Sequence, residues 1–250
     1  MRVKILTTGF NDMKKEIAVK LTKVSKKYLI HHEKPTLAER LIKGKSEEFW
    51  ALRNMNLVVH SGETLGIIGA NGSGKTTLLK IIAGITTPTL GEVETHGKII
   101  SLIDLEAGFH PDLSGIQNIF LNGMLIGMTK KEVVDKFNEI VNFSGVGKFI
   151  DAQLYTYSEG MKLRLGFSIA VFADPDIVVL DENISVGDRE FCIASSKKLK
   201  ELFAQGKTVI ISSHDLSFIK QNCNRVILLK KGKIVQSGSP SNIIKLYDNE

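Results

Sequence analysis

"GANGSGKTT", residues 69–77, decides the fold. Gly69, four residues, then Gly74-Lys75-Thr76 is the spacing of a loop built to wrap phosphate. Such a loop turns its backbone N–H groups inward, and Gly69, Gly72 and Gly74 permit the angles and close approach that a Cβ would obstruct. Ala70, Asn71, Ser73 and Thr77 complete the wrap. The helix that follows aims its N-terminal N–H groups and positive dipole end at the anion. Lys75 supplies a mobile charge for β- and γ-oxygens, and the Thr76 hydroxyl reaches Mg²⁺. A nucleoside triphosphate with Mg²⁺ is the expected ligand.

The flanks agree. "ALRNMNLVVHSGETLGIIGA" (51–70) reads as two strands with a turn at Ser61-Gly62, the second feeding the loop. "GKTTLLKIIAG" (74–84) reads as a helix closed by Gly84. Mg²⁺ needs a hard anionic partner. "IVVLDE" (177–182) supplies Asp181 at a buried strand end, where ligands sit in open α/β sheets. Glu182 follows and can polarise an attacking water as a general base. "VIISSHD" (209–215) sets His214 after another strand, where it can bind a γ-phosphate and hold that water in line.

Elsewhere, "EIAVKLTKVS" (16–25) alternates as a strand, and the charged stretch after it leaves room for a short helix around Leu37–Ile42. "GEVETHGKIISLID" (91–104) reads as a hairpin with Gly97 near its turn. From Ser114 to Asn142 the pattern turns helical, with a capping box at Thr129 and Glu132. "YTYSEGMKLRLGFS" (155–168) opens a helix at Ser158 that runs to about Phe172. Gly160 in its first turn costs about 1 kcal/mol against alanine, so a helix that only packs gains nothing from it. Later segments alternate: a helix at about 189–205, the strand "KTVIISS", a helix at about 215–222, strands "RVILLK" and "KIVQSG", and a helix after Pro240. Alternating strands and helices predict an α/β domain with a largely parallel sheet, and the strand-free helices form a separate subdomain at about 108–172.

Composition excludes some classes. Hydrophobic residues make 43% and charged residues 24% of 250, which supports a real core. No apolar run approaches the roughly 18–20 residues of a membrane span. The start, "MRVKILTTGFNDMKKEIAVK", lacks a signal peptide's apolar stretch and cleavage site, so export is not expected. Cys192 and Cys223 lack metal-ligand spacing and read as free thiols. The net charge of +6 fits a solvated face or attraction to an anion, and charge alone does not choose.

Taken together, these motifs resemble those of ATP-binding cassette (ABC) proteins from about Ile17 to Gly238. The family's signature motif, usually Leu-Ser-Gly-Gly-Gln, corresponds to "YSEGM" (157–161), which keeps Ser158 and Gly160 and departs at Tyr157, Glu159 and Met161. The resemblance implies a P-loop ABC-type nucleotide-binding domain over 13–250, with an antiparallel β subdomain and an α-helical subdomain, preceded by an extension over 1–12. It implies an adenine-stacking aromatic, for which Tyr28 is favoured over Trp50, on either side of an insert at about 29–49. It implies a residue between core and helical subdomain that contacts Mg²⁺ or water, with Glu106 favoured and Leu105 the alternative. Asp188 in "NISVGD" stands for the family's loop aspartate.

The stretches "AGFHPDLSGIQNIFLNG" (107–123), "YSEGM" and "VGD" look like the branch that exports O-antigen, capsule-type or teichoic acid chains. That implies an ATPase acting as a head-to-tail homodimer. Ser158 and Gly160 would reach the other subunit's ATP, and Lys75, Glu182 and His214 would act on their own. A separate membrane permease in two copies would carry a lipid-linked polysaccharide, with this chain on the cytoplasmic face of the inner membrane and no nucleic acid bound. Rival readings are an ABC ATPase for another substrate, a soluble ABC ATPase and a non-hydrolysing subunit. Glu159 sits favourably at a helix N-terminus but would repel a γ-phosphate, so its side chain is expected to turn away from nucleotide.

Overall fold

β3 (Thr64–Ile68), which feeds the phosphate loop, is buried at every position, and so is β6 (Ile177–Leu180). A strand buried throughout belongs inside a sheet covered on both faces, and consecutive β-branched residues suit that place. Ile177 and Val179 join one apolar cluster while Val178 and Leu180 join the other, so successive side chains feed opposite layers. The computed structural model describes residues 16–31, 46–181 and 188–249. The extension over 1–12, the helix around Leu37–Ile42 and Glu182 lie outside the described residues.

β3 sits within a six-stranded sheet of order β5-β6-β7-β3-β8-β9, made of β5 (Ile99–Ser101), β6, β7 (Thr208–Ser212), β3, β8 (Arg225–Lys230) and β9 (Lys233–Gly238). All its pairings are parallel except the β8–β9 hairpin. A three-stranded antiparallel sheet of order β2-β1-β4 comprises β1 (Ile17–His31), β2 (Ser46–His60) and β4 (Leu90–Thr95). The first helix, α1 (Lys75–Ile82), is packed between the two sheets through Leu78, Leu79, Ile81 and Ile82.

Two expectations are corrected. The hairpin at 91–104 does not form: β4 pairs with β1 in the antiparallel sheet, and β5 pairs parallel with β6. Gly97 (φ 105°) carries the chain between the two sheets, where a Cβ would meet Asp176 at 2.7 Å. The apolar run "IISL" suits a buried parallel strand, whereas β4 is largely exposed. The insert expected at 29–49 also shrinks. Leu29 pairs with Glu48 and His31 with Ser46, so both of its flanks are strand, and only 32–45 remain, outside the described residues. The long ladder won over the mixed composition that had suggested a loop.

The helical subdomain holds α2 (Gly115–Leu125), α3 (Lys130–Ser144) and α4 (Glu159–Phe172). Ser114 with Gln117, and Thr129 with Glu132, close capping boxes at the starts of α2 and α3. Gly145 ends α3 in the left-handed region (φ 66°). Tyr157 is buried and donates its hydroxyl hydrogen to the Phe149 carbonyl at 2.6 Å, which fixes the chain just ahead of α4. Beyond the subdomain come α5 (Arg189–Ala204), α6 (Leu216–Asn222) and α7 (Pro240–Asp248). Phe143, Phe167, Phe172 and Phe191 form an aromatic cluster that joins α3, α4 and α5, with centroids 5.4–6.2 Å apart. Among the described residues no helix is long and apolar enough to cross a membrane.

Phe167 is fully buried and packs against Phe143 and Phe191 of this cluster. Phe167→Ala is expected to cost about 3–5 kcal/mol, read as a lower urea midpoint at unchanged slope.

Candidate functional site

The phosphate loop, Asp181 and His214 meet at the carboxyl ends of β3, β6 and β7, three adjacent strands. The geometry of the loop explains its glycines. Gly69 has φ 150°, and a Cβ there would lie 2.2 Å from the Leu229 carbonyl oxygen. Gly74 (φ 108°) would bring a Cβ within 2.7 Å of the Ala51 oxygen. Gly72 (φ 75°) needs only its backbone angle, because nothing lies within 4 Å of a Cβ there. The loop is thus clamped by β8 and β2 on one side, which leaves its inner face for a ligand.

Polar groups converge on that face. Lys75 is buried at 7% exposure and donates to the Gly69 carbonyl at 2.8 Å. Its Nζ lies 3.4 Å from His214 Nε2, and the same Nε2 lies 3.1 Å from Asn71 Oδ1. In the Nε2–H tautomer His214 donates to Asn71, and Lys75 stands beside it. Ser73 Oγ is buried and has no hydrogen-bond partner among the described residues. A buried hydroxyl without a partner costs about 1–3 kcal/mol, and a phosphate oxygen would satisfy it.

Asp181 takes hydrogen bonds from two hydroxyls. Thr76 Oγ1 donates to Oδ2 at 2.7 Å, and Ser212 Oγ donates to Oδ1. Thr76 and Asp181 therefore stand together as a hydroxyl and a carboxylate, a hard oxygen pair that fits Mg²⁺. Among the described residues no group of three or more His, Cys, Asp or Glu is placed to hold a metal.

The aromatic side of the loop was only partly legible. Tyr28 pairs across the ladder with Phe49, and Trp50 with Lys27. A cavity beside the loop is lined by Phe49, Asn71, Gly72, Gly74, Lys75 and Thr76. Phe49 is thus the ring next to the phosphate loop, and sequence reasoning missed it. Tyr28, directly opposite on the neighbouring strand, shares its face. The missed signal was the continuation of β2 upstream of Trp50. Trp50 lines a second cavity of about 600 Å³ with Phe49, Arg53, Gly72, Lys231 and Lys233, so Phe49 borders both.

The signature residues lie on α4. Ser158 caps it by accepting the Met161 N–H at 3.3 Å, and a Cβ on Gly160 would meet nothing in the chain nearer than Ser158 Oγ at 4.0 Å. Among the described residues, no crowding requires glycine at 160. Glu159 turns along its own helix to Lys162, with Oε1 2.8 Å from Nζ. The Lys162 hydrogen bond lowers the pKa of Glu159. Glu106 faces this first turn: burial and then the Glu159 carboxylate raise its pKa. Its hydrogen-bonding neighbour Glu159 belongs to α4, so Glu106 stands at the start of that helix. Leu105 is buried beneath, its carbonyl oxygen 2.1 Å from where a Cβ on Gly166 would be. The Cys223 thiol is buried and pushed up to about 12, which keeps it protonated and inert.

Comparison with known proteins places these residues in a wider set. The family model described as "ABC transporter" matches residues 52–185. The O-antigen export system ATP-binding protein RfbB of Myxococcus xanthus is 46% identical over 79% of this chain and 45% of its own length. The teichoic acids export ATP-binding protein TagH of Lactococcus lactis is 45% identical over 81% of this chain and 43% of its own. An O-antigen export RfbB of Klebsiella pneumoniae is 36% identical over 93% of this chain and 98% of its own. The chain thus spans less than half the length of the first two relatives and nearly all of the third. A dimeric ATP-binding cassette solved in a post-hydrolysis state with ADP and phosphate aligns at a TM-score of 0.67 with 25% identity, covering 89% of this chain and 98% of that one.

The contrast between two loop glycines can be measured. Gly69→Ala collides with backbone and should lower ATP affinity by at least about tenfold in calorimetry, a loss of ~1.4 kcal/mol. Gly72→Ala meets only an unfavourable backbone angle, and its cost should stay near 1–2 kcal/mol of stability, about one left-handed residue.

Proposed function

The chain belongs to the ABC transporter family, and we propose that it is the ATP-binding and ATP-hydrolysing subunit of a transporter that powers export of a lipid-linked cell-surface polysaccharide through a separate permease. The observation that carries the hydrolytic part is the convergence of Lys75, the Thr76–Asp181 pair, His214 and the unpaired Ser73 hydroxyl on one loop. The export part rests on likeness to relatives whose names specify O-antigen and teichoic acid export.

The residues then divide the work. Backbone N–H groups of Gly69–Thr77 cradle the phosphates, and Lys75 releases its loop carbonyls to meet the β- and γ-oxygens. Thr76 and Asp181 hold Mg²⁺, which when bound neutralises phosphate charge. His214 steadies the γ-phosphate from β7. Glu182, which follows Asp181 in the chain, orients the attacking water and takes its proton. Phe49 and Tyr28 offer an aromatic face to the adenine.

Gly160 supports a head-to-tail dimer. Space at a helix N-terminus with no crowding inside the chain fits the approach of a phosphate held by a second copy. Each subunit would contribute its phosphate loop to one ATP and Ser158 and Gly160 to the other, so both sites are alike by symmetry. ATP would favour the closed dimer, and hydrolysis would release it. The chain would sit on the cytoplasmic face of the membrane, bound to two permease copies.

Two variants test the assignments. Glu182→Gln should bind ATP and dimerise while turnover falls by about 10²–10⁴-fold, the typical contribution of a general base. Normal turnover would sink that role. Gly160→Ala should leave the isolated chain as stable or up to about 1 kcal/mol more stable, since alanine is the better helix former. ATP-driven dimerisation, followed by light scattering, should be lost, and a variant that still dimerises removes the trans contact. Recovery of a polytopic membrane protein from membranes with the tagged chain is the expected result for the permease.

A further inference from the structure

The first turn of α4 mixes what a phosphate needs with what repels it. Met161 gives its N–H to Ser158 Oγ at 3.3 Å, and Lys162 gives its own to the Ser158 carbonyl at 3.1 Å. A helix cannot satisfy its first N–H groups internally, so those of Glu159 and Gly160 are left for an acceptor from outside. Gly160 leaves room to reach them, with nothing nearer a Cβ there than Ser158 Oγ at 4.0 Å. Beside it stands Glu159, its side chain 76% exposed. Glu106 brings a second acid to the same turn and hydrogen-bonds Glu159. A carboxylate this close to an anion-binding end repels a phosphate. Lys162 answers that charge. Long side chains of a helix lean back toward its N-terminus. From the second turn Lys162 therefore reaches the first, where Nζ donates to Glu159 Oε1 at 2.8 Å. It is the more enclosed partner, at 22% exposure.

We propose that Lys162 is a positioning residue: by holding and neutralising Glu159, it lets the γ-phosphate of the neighbouring subunit's ATP approach Gly160. The inference rests on the head-to-tail dimer proposed above and adds the charge that such a dimer must balance at each of its two sites. Glu159 is welcome at a helix N-terminus and unwelcome beside a phosphate, and the cation three residues on reconciles the two. In the separate subunit a pair this exposed adds little stability, because water screens it and ordering two side chains costs entropy. Closure removes that water, and an unbalanced carboxylate then acts at close range in a poorer dielectric. The pair therefore matters in the closed dimer and hardly at all in the monomer.

Four chains test this: wild type, Lys162→Gln, Glu159→Gln and the double variant. All four should have nearly the same urea midpoint and should bind ATP alike as monomers, since each subunit's own site is the phosphate loop. With ATP, light scattering should show the dimer of Lys162→Gln weakened by roughly tenfold or more, from one unbalanced charge at each site. The dimer of Glu159→Gln should be at least as tight as wild type. The double variant should return to within about threefold of wild type, because the two losses cancel and so are not additive. Lys162→Arg, which keeps the cation, should dimerise as wild type does. Raised salt should narrow the gap between Lys162→Gln and wild type. A double variant as weak as Lys162→Gln overturns the proposal, since Lys162 then acts on the phosphate and not through Glu159. Equal dimerisation by all four chains overturns it too. If the wild-type chain stays monomeric with ATP, the dimer reading falls and takes this proposal with it.

Discussion

The site depends on one carboxylate. Asp181 ends β6 and draws a hydroxyl from α1 and another from β7, so a strand, a helix and a neighbouring strand are tied at one point. It is 7% exposed, and a buried carboxylate is tolerable only when its oxygens are used. Thr76 and Ser212 use them. The same bonds hold Thr76 next to Lys75 at the start of α1, which sets the direction of the phosphate loop. The sheet order then brings His214 from β7 to the same end. Because β3, β7 and β6 are adjacent and parallel, their carboxyl ends open on one side, and the chemistry needs no long reach.

Much of this was legible in the sequence, for physical reasons. The phosphate loop is local: its glycines, lysine and threonine act within a single turn, so spacing alone specifies it. Asp181 and His214 were readable because each ends an uninterrupted β-branched run, and a buried parallel strand has few other sequence forms. The capping box at Thr129 and the cap at Ser158 are also local contacts and appear as expected. Glu159 was expected only to turn away from nucleotide, and its partner Lys162, three residues on along the same helix, comes from the structure.

The failures are all matters of pairing across sequence distance. "GEVETHGKIIS" carries a turn glycine between two strand-like segments, and nothing local says that the two join different sheets. The ends of β1 and β2 looked like insert because Lys, His and Glu interrupt them, yet cross-strand bonding extends the ladder to His31 and Ser46. That hid Phe49, whose place beside the loop depends on the extension.

Lys75 carries a further consequence. Its charge is already out of water, held by a loop carbonyl and beside His214. The desolvation of that cation is thus borne by folding and is finished before any nucleotide arrives. A bound anion then meets a charge that is already desolvated. Ligand that binds only the folded form adds RT ln(1 + [L]/Kd), about 2.7 kcal/mol at a hundredfold excess over Kd. The abundance of nucleotide around the protein then becomes a term in its survival as well as in its work: a starved cell would both idle the machine and shorten its life.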